Sequence, residues 1–187
     1  MTDKDSDVQV GQGTLLVASP FLRDGNFRRS VVLIAEHDAE GSLGFILNQM
    51  TSLTLGQVLP GIADHWPIYY GGPVGNDSLF YLHSLGPELE GARHILGSLW
   101  WGGAFNQLRA LLEKDQVPRH ALKFFAGYSG WGQGQLASEL EEESWILKPG
   151  GTLNVLESET DHLWRRLILS EPAYALWFNM PDAPYLN

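Results

Sequence analysis

The stretch GYSGWGQGQLASELEEESW, Gly127–Trp145, sets Ser129 among small residues between an apolar run and a helix-like segment. That is the mechanical setting of a nucleophile elbow, where a sharp strand-to-helix turn exposes a serine. The order Ser129, Asp161, His162 also matches that of an α/β-hydrolase triad. The motif G-x-S-x-G, however, needs glycine where Trp131 stands. Asp161 and His162 are neighbours on one expected helix, so their side chains diverge by ~100° and do not readily form a relay. A phosphate cradle is the second reading, with Gly130, Gly132 and Gly134 before a helix N-terminus and Glu157 ending a later strand as a ribose acid. Against it stand the G-x-G-x-G spacing, the bulk of Trp131, the absence of a Lys-Ser/Thr pair, and Glu139, Glu141, Glu142 and Glu143 on the helix. The remaining reading is a corner: glycines at positive φ carry the strand closely onto the helix, Tyr128 and Trp131 pack, and Gln135 lies near the helix start. A ligand groove beside it is compatible with the small residues.

Glu36-His37-Asp38 raises metal binding. On a strand Glu36 and Asp38 share one face and His37 takes the other, so two carboxylates alone make a weak site unless His83 is brought near. A hydrogen-bonded structural histidine fits better. Arg28-Arg29 and Arg165-Arg166 could form a patch for an acidic partner, although exposed pairs with nearby carboxylates are worth only ~0–1 kcal/mol and are common. Trp100-Trp101 on a strand should put one ring inward and one outward, making the outer ring a candidate protein contact.

The elements that must position these groups follow from period and punctuation. TLLVAS, SVVLIAEHD and SLGFILNQ read as strands, the last two joined as an antiparallel hairpin through Ala39-Glu40-Gly41. A short helix is expected around Thr54–Leu59, then strands PIYYGGPV and SLFYLHS, each closed by Gly or Pro, and one further strand in ARHILGSLWWGG. AFNQLRALLEK places Phe105, Leu108, Leu111 and Leu112 on one helical stripe. ALKFFAGY is a strand, QLASELEEESW a helix and GTLNVLE, from Gly151, a strand. SETDHLWRRLIL opens with a capping signal at Ser158 and Asp161 and turns Leu163, Trp164, Leu167 and Ile168 to one side. PAYALWF is a last short helix. Hairpins early and helices late predict an α+β fold with a largely antiparallel sheet that twists or partly closes.

Composition bounds the function. A chain of 187 residues with 44% apolar and 18% charged residues fits one domain with a substantial core, with residues 1–12 as a flexible arm and 13–187 as the domain. Its 12 Lys and Arg against 22 Asp and Glu give a net charge of −10, which disfavours direct DNA binding. The absence of cysteine excludes disulfides, thiolate metal sites and a Cys nucleophile. The polar, acidic start lacks a signal-peptide pattern and no run reaches the ~18 apolar residues of a membrane span, so a cytoplasmic address without membrane contact is expected.

Three separated stretches, SPFLRDGNFRRSVVLIAEHDAEGSLGFILNQ at Ser19–Gln49, YYGGPVGNDSLFYLHS at Tyr69–Ser84 and FAGYSGWGQGQLASELEEESW at Phe125–Trp145, together resemble the YqgE/AlgH family from about Gly13 to Trp177. The resemblance implies a single compact domain whose mixed sheet curls into an open barrel-like arrangement with helices packed around it. Members are mostly uncharacterised, and one branch has been described as a transcriptional regulator without an evident DNA-binding motif. Matched onto this chain, the family residues that could form a ligand or partner site are Asp24, Ser30, Glu36, His37, Asn48, His83, Tyr128, Trp131 and Gln135. The family often has a basic residue and Pro after the Asn, whereas Gln49-Met50 follow here. No nucleophile, base and orienter can be named together, so no catalytic residue, metal or cofactor is assigned. The expected function is that of a non-enzymatic cytoplasmic accessory or regulatory protein acting through an unidentified protein partner or small ligand. A hydrolase with a pocket of polar motif residues is the alternative, and exposed aromatics fit a homo-oligomer as well as a heterocomplex.

Overall fold

Strands dominate the first two thirds of the chain because β-branched and aromatic residues fill them and Gly, Pro and Asn separate them. The computed structural model describes residues 8–63, 65–157, 160 and 162–178. In chain order the strands are β1 (Thr14–Ala18), β2 (Val31–Asp38), β3 (Gly41–Ile46), β4 (Met50–Thr54), β5 (Pro67–Tyr70), β6 (Val74–His83), β7 (Arg93–Leu96), β8 (Leu99–Trp101), β9 (Leu122–Gly132) and β10 (Trp145–Pro149). The helices are α1 (Leu55–Val58), α2 (Phe105–Glu113), α3 (Gln135–Glu141), α4 (Leu163–Leu169) and α5 (Pro172–Phe178). Strand order is β10-β1-β2-β3-β9-β6-β8-β7, with β5 alongside β9 and β4 beyond β5. Every pairing is antiparallel except β5 with β9. The result is an α+β domain whose antiparallel sheet forms a half-barrel, as the family resemblance implies.

Strand β9 organises the sheet. Phe124 and Phe125 are neighbours on it, so their side chains point to opposite faces, and both are fully buried. Phe125 enters the larger core with Phe45, Leu33 and Ile46. Phe124 enters the smaller one with Trp66, Ile68, Leu108 and Leu112, which α2 covers with its apolar stripe. Phe105 and Leu111 pack at the edge of that core. In β1, Leu15, Leu16, Val17 and Ala18 are all inaccessible, since one face meets the barrel interior and the other is covered by α4. Trp164 of α4 donates from Nε1 to the Ala18 carbonyl at 2.7 Å. Leu163, Trp164 and Ile168 are buried as the period predicts, with Leu167 at the margin. The expected cap residues Ser158 and Asp161 lie outside the described residues.

Five expectations need correction. The corner in the glycine-rich stretch is later and tighter than expected: β9 runs on through Gly132, with Ser129 opposite Gly44 and Gly132 opposite Gly41, and the chain turns into α3 only at Gln133-Gly134. Of the glycines in this stretch only Gly127 (φ 70°) and Gly134 (φ 74°) adopt the left-handed region. Ladder bonds from β3 hold the strand that composition alone would break.

The segment ARHILGSLWWGG is two strands, β7 and β8, with Leu96 opposite Leu99 around Gly97-Ser98, a dipeptide that suits a tight hairpin. Gly151–Glu157 is not a strand but begins in a single tight turn, Gly150–Thr152. The missing strand lies just before it, where Trp145–Pro149 pairs with the full length of β1. Trp100 and Trp101 do not divide into one inward and one exposed ring. Both are half-buried, Trp100 edge-on to His94 at 4.9 Å and Trp101 against Phe45 at 5.8 Å with the Arg93 guanidinium 5.3 Å from its ring. Of the expected arm, residues 1–7 lie outside the described residues. The rest is tied down, for Val10 packs on the core and Gln12 Nε2 donates to the carbonyls of Ala35 at 3.0 Å and His94 at 2.6 Å.

Gly127 marks the irregular crossing of β9 and β6, where the register shifts between Val74 and Leu79. A Cβ there would lie 2.7 Å from the carbonyl oxygens of both Gly72 and Val74 and 2.5 Å from Asn76 Oδ1. Replacing Gly127 with alanine is expected to cost about 1–2 kcal/mol from the left-handed backbone alone, with the oxygen contacts adding to it. A urea unfolding curve with an unmoved midpoint would contradict this assignment.

Candidate functional site

The polar residues of the first and third motifs converge on the connection between β1 and β2, residues 19–30. Asp24 closes its first turn: Oδ1 accepts from the amides of Asn26 at 2.8 Å and Phe27 at 3.2 Å. Asn48 pins the far end as a backbone strand would, accepting from the Val31 amide at 2.8 Å and donating to the Arg29 carbonyl at 2.9 Å. Gln49 Nε2 donates to the Asn26 carbonyl at 3.3 Å, and the Tyr70 hydroxyl donates to Asn26 Oδ1 at 3.3 Å. Burial, and then the Asp24 carboxylate, push the Tyr70 pKa up from 10.0, which keeps that hydroxyl a donor. Arg29 is held at φ 58°, an uncommon backbone for a non-glycine residue.

Phe27 is the apolar anchor of this connection. Its ring stacks on Trp131 at 5.9 Å and meets Trp145 edge-on at 5.5 Å. Both indoles are in turn fixed by one carboxylate, Glu139 Oε2, which accepts from Trp131 Nε1 at 2.9 Å and Trp145 Nε1 at 2.7 Å. Gln135 Nε2 donates to Glu139 Oε1 at 3.0 Å while its Oε1 accepts from the Gly132 amide at 3.1 Å. Fixing each backbone residue costs about 1–2 kcal/mol, whereas a hydrogen bond or an aromatic pair returns about 1 kcal/mol. A connection this long stays ordered only because many such contacts act on it together.

What this scaffold displays is Pro20, Phe21, Leu22, Arg23 and Arg28 around a depression of about 220 Å³. Phe21 is 58% exposed. Phe21 and Arg23 are residues that sequence reasoning missed as site candidates, because an apolar side chain in a turn looks the same whether it folds inward or not. Arg28 was legible as half of a basic pair.

The other predicted residues lie elsewhere. Glu36 pairs with Arg93, and the adjoining His37 joins Nδ1 to Ser42 Oγ at 2.7 Å. Asp38 Oδ1 accepts from the amides of Glu40 and Gly41 at 2.8 and 3.2 Å, closing the hairpin. No group of three metal-ligating side chains forms among the described residues. Glu36, Asp38, Glu40, Val74, Tyr128 and Trp131 line an open groove of about 420 Å³, with the Tyr128 ring edge-on to Phe80 at 5.4 Å. Ser30 is fully buried and its hydroxyl has no hydrogen-bond partner among the described residues.

Ser129 and His83 are both inaccessible. Ser129 Oγ donates to the Gly71 carbonyl at 3.0 Å. His83 Nε2 donates to the Gly102 carbonyl at 3.1 Å while Nδ1 accepts from the Leu85 amide at 3.3 Å. Burial lowers the His83 pKa below 6.5 and outweighs the Gly102 bond, which acts against it, so the ring is neutral at pH 7. His83 is paired with Leu122 at one end of β9 and Ser129 lies near the other, a separation of roughly 20 Å at ~3.3 Å per residue. They share no common point.

The fold defines the protein as a single α+β domain with a half-barrel sheet. The AlgH-like family model matches residues 15–172, and the chain belongs to that family. A UPF0301 protein of Parabacteroides distasonis is 39% identical over 186 residues, covering 97% of this chain and 94% of the relative. Another from Chlorobium limicola is 37% identical over 177 residues, covering 94% and 95%. Among solved structures, the AlgH protein of Pseudomonas aeruginosa superposes with a TM-score of 0.64 at 28% identity over 84% of each chain. Protein DIP2367 of Corynebacterium diphtheriae superposes with a TM-score of 0.69 at 22% identity over 96% and 93%, which establishes likeness of fold. No helix among the described residues is long and apolar enough to cross a membrane.

Proposed function

We propose that the protein works by binding rather than catalysis, as a cytoplasmic accessory or regulatory protein whose residues 19–30 contact a partner protein. One observation carries this reading: Asp24 and Asn48 spend their polar atoms on residues 19–31, while Gln135 and Glu139 fix the Trp131 ring on which Phe27 of that connection rests. Loops positioned by a rigid scaffold are where binding residues concentrate. A regulatory effect, including the transcriptional one described for a branch of the family, is then exerted through the partner and not through DNA. The hydrolase alternative lacks support from Ser129 and His83, which are buried, bonded to backbone and far apart.

The test compares proteins retained from a cell extract by the immobilised wild-type chain and by Phe21→Ser. The expected result is a stoichiometric partner retained by the wild type and lost from the variant. Robust turnover of an ester, amide or phosphoester substrate, abolished by Ser129→Ala in a folded variant, would overturn the reading.

A further inference from the structure

We propose that the depression walled by Pro20, Phe21 and Leu22 and flanked by Arg23 and Arg28 docks an extended acidic segment of a partner protein, one apolar side chain of which enters it. This rests on the reading of residues 19–30 as the contact element and names the chemistry of what they contact.

The depression, about 220 Å³, has room for one side chain and is too small for a nucleotide or a large cofactor. Arg23 and Arg28 are exposed and make no ion pair among the described residues. The carboxylate between them in sequence, Asp24, is engaged by two amides of the same turn. The cationic surface continues beyond the loop, because the Arg29 guanidinium lies 5.8 Å from the Trp164 ring on α4. Arg165 and Arg166 follow on that helix, exposed and without an ion pair among the described residues. Five of the 12 basic residues of a chain with net charge −10 therefore gather on one connection and the short helix it touches.

Guanidinium forks match carboxylates in a bidentate, charge-assisted way, and arginine is among the residues enriched at interface hot spots. A nucleic acid offers the same anionic groups, but its charges recur every ~1.7 Å along the duplex. The negative chain as a whole repels such a polyanion. So do Glu141, Glu142 and Glu143, which adjoin the loop where the Ser19 amide donates to the Ser144 carbonyl at 2.9 Å. A peptide places its few carboxylates only over the arginines, and its apolar residue has a use for the Pro20–Leu22 wall that phosphate does not.

Fluorescence anisotropy on the full chain tests this with labelled probes: a short Glu-rich peptide containing Leu and Phe, a Glu-rich peptide without apolar residues, and single-stranded and duplex oligonucleotides. The expected result is binding of the first peptide, weakened by salt and reduced about tenfold or more in R23E/R28E, the loss that removing charge-assisted bonds predicts. The neutral variant R23Q/R28Q should fall in between, and R109E, on the remote α2, should bind as wild type. An unchanged urea midpoint confirms that each variant folds. Oligonucleotide binding stronger than peptide binding, peptide binding indifferent to R23E/R28E, or equal binding of the peptide lacking apolar residues would each overturn the proposal. No peptide binding, together with an extract complex still lost on Phe21→Ser, would overturn the acidic class and leave the contact reading standing. A complex indifferent to both sets of substitutions would remove both.

Discussion

Replacing Glu139 with leucine is expected to lower unfolding stability by about 4 kcal/mol, since each buried donor left unsatisfied costs about 1–3 kcal/mol and here two indole N–H groups lose the same acceptor. Trp131 is 4% and Trp145 5% exposed, so water does not readily replace the carboxylate. The damage extends beyond these rings. Phe27 rests on both of them, and its seat anchors the displayed connection. Limited proteolysis should therefore cut within residues 19–30 in Glu139→Leu before the rest of the domain opens. Glu139→Gln keeps an acceptor oxygen in place and should recover much of the loss. A leucine variant as stable and as protease-resistant as wild type would show that the carboxylate does not hold the scaffold together.

The second large effect has the opposite sign. Lys123 lies on β9 among apolar neighbours, 4% exposed, with a hydrogen bond from Nζ to the Val155 carbonyl at 3.3 Å and the Tyr69 ring 4.5 Å away. Burial pulls its pKa down from 10.5 to about 8, because the charged form is lifted out of water and no carboxylate among the described residues pairs with it. At about 1.4 kcal/mol per unit this is a penalty of about 3 kcal/mol on the charged form. A cation over an aromatic face returns about 1 kcal/mol of it. Lys123→Met, which keeps the unbranched stem, should therefore stabilise the protein by about 2 kcal/mol at pH 7.

The pH dependence follows from the same burial. Between pH 8 and 10 the unfolded chain holds the lysine proton that the folded one has released. Wild-type stability thus rises with pH over that window, and in Lys123→Met the rise is absent. Above pH 10 the trend reverses, because burial raises Tyr81 from 10.0 to about 12 and the folded state then keeps a proton the unfolded state gives up. A wild-type stability that is flat or falling from pH 8 to 10, or a methionine variant that is less stable than wild type, would contradict the account of Lys123 as a buried charge that costs the fold.

How much of this was legible in the residues differs from element to element. The stripe of α2 and the β2–β3 hairpin follow from local pattern, since a 3.6 or a 2.0 period survives whatever the rest of the chain does. Glycine composition misled at β9, because Gly130 and Gly132 read as breakers, whereas ladder bonds to β3 stabilise an extended chain that propensity alone does not favour. A lone lysine in the apolar strand ALKFFAGY was the visible signal for Lys123. Nothing local signalled that Glu139 would meet both Trp131 and Trp145, a contact made by bringing β9, α3 and β10 together.

The amino-acid sequence by itself determined the α+β class, the family, the two amphipathic helices that cover the sheet and the acidic balance of the chain. These depend on periodicity, turn chemistry and summed charge, which need no partner at a distance. Only the tertiary structure decided that Ser129 and His83 are separate structural groups, that Asp24 and Asn48 serve one connection, and that Arg23 and Arg28 flank a depression beside exposed Phe21. Those outcomes depend on which strands pair and in what register, set by the long-range burial of Phe45, Phe124 and Phe125 in two cores on opposite faces of β9.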